Sequence, residues 1–400
     1  MINTANITDN IYYIGVNDRE TYLFENLWPL DKGVSYNSYL INDEKTAIID
    51  TVKNTKIGDF IGKIQSQIGN RTVDYLVINH MEPDHSGAIK EITEKYPNIT
   101  IVGNKKTFDI LESFYGKMNN YHVVEDGDIL NLGSHQLKFY LTPMVHWPET
   151  MMTYETKNKV IFTGDAFGGF GTLDGGIFDD EVNLEFYTDE IRRYYSNIVG
   201  KYSAMVQKAI KKLKDEAVDI KVVAPTHGPV WRSNPNAIIK YYDLWSKGEA
   251  EEGVVIVYGS MYGNTQKMAD HIARQLSTKG IKNIRIYDAS KTHVSYIISD
   301  IWRFKGLILG SCAYNTGLFP AMETVVHKIE NSQLKNRYLG IFGTSTWSGG
   351  GVSNLNLFAQ KTKWQQVGPS VEAKSSPKEE NFKACDEIAN EMAGKLISER

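Results

Sequence analysis

Asn79-His80-Met81-Glu82-Pro83-Asp84-His85 is the stretch from which the first half of this chain is read. It follows Val73-Asp74-Tyr75-Leu76-Val77-Ile78, an apolar run that reads as a buried β-strand ending just before His80. His80, Glu82, Asp84 and His85 then place imidazole and carboxylate donors on one turn. A single His or Asp is ordinarily a surface residue or a satisfied core residue, and on this stretch alone a solvated turn remains open. The pattern H-x-E-x-D-H is what gathers such donors around one point, as a metal ion requires.

Working outward, strands are expected at 11–16, 38–41 and 45–51, with a helix over 57–68 whose apolar residues recur at helical spacing. A helix near 86–95 follows the donor turn, then strands at 100–102, 137–142, 160–163 and 221–224. One helix is expected from 189 through 214. Strands and helices mixed in this way suggest two sheets with helices outside. Three of the later strands each end in a further donor: 137–142 leads to His146, 159–164 to Asp165, and 222–226 to His227. Each alone would be a satisfied core polar residue. In a layered fold, however, strand ends on one edge converge, and four ends carrying the same kind of donor point to a metal site. The Gly-rich segment 168–176, directly after Asp165, reads as a cover over that site. No helix signal follows it at once, so it does not read as a phosphate cradle.

The chain has 400 residues, long enough for two domains. Lys+Arg 44 against Asp+Glu 48 gives a net charge of -4, which favours neither nucleic acid nor an anionic membrane. The two cysteines, Cys312 and Cys385, form no C-x-x-C pair, so neither a disulfide framework nor a cysteine metal knuckle is encoded. No apolar run reaches the roughly 18 residues of a membrane span, and the N-terminus lacks a signal-peptide pattern. A soluble, cytoplasmic protein is expected.

The segment 246–253 is charged and Gly-bounded and reads as a linker. After it, strand and helix alternate. Val254-Val255-Ile256-Val257-Tyr258 is a run of the kind buried in a parallel sheet, and strands at 284–287, 306–309 and 338–342 follow, with a helix over 266–278. Doubly wound sheets bind ligands beyond the carboxyl ends of their strands. The loop Ser260-Met261-Tyr262-Gly263-Asn264-Thr265 offers hydroxyls and amides at a helix N-terminus, suited to a phosphate or simply to capping. It matches neither the P-loop nor the G-x-G-x-x-G pattern. Two later loops, Gly310-Ser311-Cys312-Ala313-Tyr314-Asn315-Thr316-Gly317 and Gly343-Thr344-Ser345-Thr346-Trp347-Ser348-Gly349-Gly350, each add polar backbone and one aromatic, as a flat ring needs.

The donor set resembles the diiron domain of flavodiiron proteins, a relative of the metallo-β-lactamase fold. The strings His146-Trp147-Pro148-Glu149-Thr150-Met151, Gly164-Asp165-Ala166-Phe167-Gly168 and Thr226-His227-Gly228 agree with it. The second half resembles flavodoxin, and Thr346-Trp347-Ser348-Gly349-Gly350 is similar to the flavin loop of the same family. The resemblance implies an α/β chain with an N-terminal αββα metallo-β-lactamase-like domain over 1–250 and a C-terminal flavodoxin-like doubly wound parallel sheet over 251–400. It implies two irons per subunit, one on His80, Glu82 and His146, the other on Asp84, His85 and His227, with Asp165 bridging. His85 ligates in some family members and not in others. It further implies FMN, with its phosphate on 260–265 and Tyr314 or Trp347 against the isoalloxazine. Two candidate catalytic residues come with it: Glu25, where many relatives carry His, and Tyr195, which matches a family tyrosine near the site.

A carboxylate at Glu82, where the related zinc hydrolases have His, is a harder donor and suits iron. The function implied is an oxidoreductase passing electrons from FMN to a diiron centre that reduces dioxygen to water or nitric oxide to nitrous oxide. The implied donor is external, rubredoxin or a reduced deazaflavin, and the implied assembly is a head-to-tail homodimer or homotetramer. The rival readings are a zinc-dependent hydrolase fused to a flavodoxin-like module, and a non-catalytic gas or redox sensor.

Overall fold

Seven strands build the first sheet, in the order Ala5–Thr8, Ile11–Tyr13, Tyr39–Asn42, Thr46–Ile49, Tyr75–Val77, Thr100–Gly103, Tyr121–Val123. The computed structural model describes residues 4–399. Tyr75–Val77 runs parallel to both its neighbours, which is why its core side chains form an unbroken apolar run rather than an alternation. A second sheet holds Ile129–Asn131, Gln136–Leu141, Met151–Glu155, Val160–Phe162 and Val222–Ala224. The sheets meet through their inner faces. Tyr39 of the first packs on Phe162 of the second, ring centroids 5.0 Å apart, and Thr153 Oγ1 donates to Asn79 Oδ1 at 2.7 Å. Helices including Ile57–Ile68, Lys105–Tyr115 and Ser203–Asp215 complete the αββα unit.

The helix expected over 189–214 is divided. An α-helix, Leu184–Tyr194, passes into a π turn, Tyr195–Val199, and a 3-10 turn, Gly200–Tyr202, before Ser203–Asp215 begins. Ser196 Oγ and Asn197 Nδ2 both donate to Arg193 O, drawing that carbonyl into side-chain bonds at the start of the wider turn.

The chain divides into two compact units between Asp243 and Leu244. The division falls within the helix Pro235–Lys247. The segment expected as a linker is therefore helix up to Lys247 and strand again from Glu251.

In the second unit, Glu251–Gly259 pairs with Ile284–Asp288 on one side and Phe304–Cys312 on the other. Tyr338–Ser345 follows, and both Gln365–Gln366 and Val371–Lys374 pair with it. Every pairing is parallel, and the order reverses direction between Glu251–Gly259 and Phe304–Cys312, the topological switch point of a flavodoxin-like sheet. The helix Asn264–Thr278 presents Met268, Ile272 and Leu276 to the core beside Ile256 and Ile308. Each such side chain, fully buried, contributes about 1.5–3 kcal/mol. Among the described residues no helix is long and apolar enough to cross a membrane.

Candidate functional site

The donor turn is held in place before any metal is considered. Asp50, just beyond the strand Thr46–Ile49, is buried and accepts from Asn79 N at 2.7 Å, Asn79 Nδ2 at 3.0 Å and His80 N at 3.3 Å. Pro83 opens the short helix Pro83–Ser86, and the residue before a proline is restricted to extended backbone, so Glu82 stands off it at φ -58, ψ 141. His146 sits in a turn closed by Thr142 N donating to Thr150 O at 3.0 Å. Asp165 and His227 come from adjacent parallel strands, tied where Thr226 N donates to Gly164 O at 3.0 Å.

These strand ends converge. His80, Glu82, His146 and Asp165 each turn one ligand atom into a group spanning no more than 4.8 Å, and Asp84, His85 and His227 do the same. Asp165 faces both groups. Its Oδ2 lies 3.1 Å from His146 Nε2 and 3.5 Å from His80 Nε2, while its Oδ1 lies 2.8 Å from His85 Nε2 and 3.6 Å from His227 Nε2. Thr226 Oγ1 donates to that same Oδ1 at 2.6 Å. The His85 imidazole is turned into the second group, 3.4 Å from Asp84 Oδ2.

The electrostatics describe a site built for cations. Burial pushes the His80 imidazole towards neutrality, but Asp165 and Glu149 outweigh it and raise its pKa well above the ordinary value. His85 and His146 are likewise disfavoured as cations by burial, yet carried up to about 9 by Asp84 and Asp165 and by Asp165 and Glu82 respectively. Burial opposes ionisation of Asp165, and His85 and His80 hold its carboxyl far below the usual range. Protons on these imidazoles occupy the place a metal would take, so metal binding would release them. Both Asp84 oxygens and His227 Nε2 are buried with no hydrogen bond among the described residues. Buried polar atoms are rarely left so, and a pair of divalent cations would satisfy them. Imidazoles and carboxylates can hold iron, and the donor on which the sequence favoured iron over zinc, Glu82, is in the first group.

Glu25 lies on the wall of a surface pocket whose floor carries Glu82 and Asp84. Its Oε2 accepts from Trp28 Nε1 at 2.8 Å. Part of the residue is open to solvent, but desolvation of the carboxylate and the nearby Glu82 raise its pKa to about 7. Of the adjacent tyrosines, the one beside the ligands is Tyr194. Its ring is 5.5 Å from that of His227, and its buried hydroxyl has no hydrogen bond of normal geometry. Tyr195 carries its hydroxyl to Ser203 Oγ at 2.9 Å and packs on Tyr242. Of the two, it is therefore Tyr194 and not the expected Tyr195 whose ring touches a candidate ligand. The resemblance placed the role one residue on, at Tyr195, where the π turn begins. The Gly-rich segment expected as a cover lies against the site, where a Cβ on Gly168 would stand 3.3 Å from His227 Cβ. Residues 168–173 are buried, and a Cβ on Gly169 would stand 2.8 Å from Ile191 Cα.

In the second unit the three expected loops form one pocket at the switch point. Ser260, Met261, Tyr262, Asn264, Thr265, Cys312, Ala313, Asn315, Thr316, Thr344, Ser345, Thr346, Trp347, Ser348 and Gly349 line it, with one residue the sequence reading missed, Ser375. Ser375 follows the strand Val371–Lys374, whose short, alternating pattern gave no signal. Gly263, Ser311, Tyr314 and Gly350 are frame rather than wall. Gly263 N donates to Ser260 Oγ, and Ser311 Oγ takes Phe319 N. Tyr314 packs edge-on against Phe319. Gly350, at φ +119, lies where a Cβ would be 2.2 Å from Thr316 O. Trp347, 84% exposed, and Tyr262, 89% exposed, stand over a polar cleft at the N-terminus of Asn264–Thr278. Amides and hydroxyls below with unpartnered aromatics above fit a phosphorylated flat ring.

Comparison with known proteins bears on both units. A family model described as ODP family beta lactamase matches residues 34–228, and one described as Flavodoxin matches 256–387. An anaerobic nitric oxide reductase flavorubredoxin of Vibrio vulnificus is 34% identical over 382 residues, covering 92% of this chain and 77% of that protein. The protein of that name from Escherichia coli is 33% identical over 391 residues, covering 97% and 81%. Among solved structures, the rubredoxin oxygen:oxidoreductase of Desulfovibrio gigas has a TM-score of 0.94 at 29% identity, covering 99% of each chain. The flavodiiron protein of Giardia intestinalis has a TM-score of 0.93 at 25% identity, covering 100% of this chain and 98% of that one.

Proposed function

The chain belongs to the flavodiiron protein family, and from that membership we propose that it passes electrons through FMN to a diiron centre that reduces dioxygen to water, nitric oxide to nitrous oxide, or both. The observation that most supports this reading is Asp165, with one carboxylate oxygen turned to each group of donors. His80, Glu82 and His146 would hold one iron, Asp84, His85 and His227 the other, and Asp165 both. When bound, the flavin would supply two electrons and the irons two more, with the metals also clamping the diatomic.

The protein's own residues do the rest. Three carboxylates and four neutral imidazoles would offset three of the four positive charges of two ferrous ions. Leu23, Phe24, Tyr36 and Phe114 give the pocket over Glu82 and Asp84 apolar walls that admit a small neutral molecule. Glu25 adds a further carboxylate to that wall, while Tyr194, buried with its ring 5.5 Å from that of His227, backs the second group of donors. The pocket of the second unit would seat the FMN phosphate on 260–265 and its ring against Trp347. The names of the relatives support rubredoxin as external donor; a reduced deazaflavin is the other class. A cytoplasmic homodimer or homotetramer, with residues 1–250 and 251–400 as the metal and flavin domains, completes the reading.

Metal analysis together with parallel turnover of each gas, using one reduced donor, tests it. Iron near two per chain, bound flavin and turnover with at least one gas are expected. Zinc without iron in protein expressed with both available would restore the hydrolase reading, and absence of turnover with either gas in the iron-loaded form would leave a sensor.

A further inference from the structure

The four imidazoles differ in what stands behind them. His80 Nδ1 donates to Glu149 Oε1 at 2.8 Å, and Glu149 is 1% exposed. The same oxygen accepts from Met81 N at 2.9 Å, between the candidate ligands His80 and Glu82. The Glu149 backbone is anchored in turn, its carbonyl accepting from Asn104 Nδ2 at 2.5 Å. The second group has nothing equivalent. His227 Nδ1 donates to a neutral carbonyl, Ser35 O, at 2.7 Å, and His85 Nδ1 is buried with no hydrogen bond among the described residues. His146 meets Glu82 and Asp165 through Nε2. Among the described residues, His80 is the one imidazole of the four whose Nδ1 is hydrogen-bonded to a carboxylate. Asp84, in the second group, is also the least buried of the seven donors.

A carboxylate behind a ligating histidine fixes its tautomer and makes it a stronger donor, and losing such a partner typically lowers metal affinity about 10–100-fold. We propose that Glu149 is a positioning residue that makes the centre unequal, so that the group around His80 keeps its metal more tightly than the group of Asp84, His85 and His227. The inference rests on reading the seven donors as a two-metal centre. The consequence is a half-loaded protein, with one metal per chain in the His80 group, that persists when the second ion is stripped.

The full-length protein loaded anaerobically with ferrous iron and dialysed against rising chelator tests this by iron content alone. The wild type should release iron in two separated steps. Glu149→Gln keeps the shape and an acceptor for Met81 N while removing the charge, so its later step should move about 10–100-fold towards the earlier one, and Glu149→Asp should keep the gap. Cobalt(II) gives a second readout that needs no variant. One equivalent added to metal-free wild type should fill a single environment, so the visible spectrum changes shape when the second enters. Simultaneous loss of both irons from the wild type, an unmoved gap in Glu149→Gln, or cobalt spectra that merely scale would overturn the proposal. A wild type that never takes up a second metal shows no second step at all, and would overturn the two-metal reading and this inference with it.

Discussion

At the scale of single residues, Asp165 and Trp347 bear opposite burdens. Asp165 is buried, and each of its oxygens faces two imidazoles, so Asp165→Ala removes the counter-charge from both groups at once. The variant should lose most of its iron and all gas reduction while keeping a yellow, reducible flavin; intact iron by metal analysis would remove Asp165 from the bridge. Trp347 is so exposed that truncating it costs the fold little. An aromatic stacked on a ring is worth about 1 kcal/mol beyond burial, so Trp347→Ala should weaken FMN binding by about fivefold or more in a fluorescence titration. Tyr314→Ala should change it little, because that ring packs edge-on against Phe319 and does not line the pocket. Equal effects would make Trp347 a bystander. The seven donors could be read from sequence because each follows an apolar strand. Tyr194 could not, since both adjacent tyrosines are buried and which of them faces His227 depends on where a helix changes pitch.

Among the secondary-structure elements, the helix Lys105–Tyr115 connects stability to the site. Asn104 caps it, its Oδ1 accepting from Lys106 N at 3.0 Å and Thr107 N at 3.3 Å, while its Nδ2 holds the Glu149 carbonyl. Losing a cap of this kind costs about 1 kcal/mol, and losing the second hydrogen bond about 1 more. Asn104→Ala should therefore lower unfolding stability by about 2 kcal/mol in urea and loosen iron in the same sample. A stability change without any change in iron retention would separate the cap from the site. This helix was absent from the sequence reading, and so was the strand Met151–Glu155. Met151-Met152-Thr153-Tyr154-Glu155 mixes apolar and polar residues without alternation, because all five are buried between neighbours on both sides. The parallel strands were legible for the opposite reason: buried on both faces, they carry runs such as Val254-Val255-Ile256-Val257.

At the scale of the whole molecule, the chain is two compact units, each with its own candidate site. Reduction of dioxygen needs electrons from both cofactors in one turnover, so a flavin must come close to a diiron centre. The head-to-tail homodimer implied by the family resemblance would achieve this by pairing the flavin of one subunit with the metals of the other. Two inactive proteins test it. Asp165→Ala should keep its flavin but lack a competent metal centre. Gly350→Val should keep iron but lose flavin, because a side chain there runs into Thr316 O and forces two loops that frame the pocket apart. Each alone should be inactive. Dissociated and reassembled together, they form mixed dimers in which an intact flavin sits on one chain and an intact diiron centre on the other. Transfer between chains predicts that activity returns, up to about half that of a wild-type dimer, since one of two flavin–metal pairs is whole. Silence from mixed dimers verified by differential tags, with iron and flavin contents as stated, would mean that electrons cross within one chain.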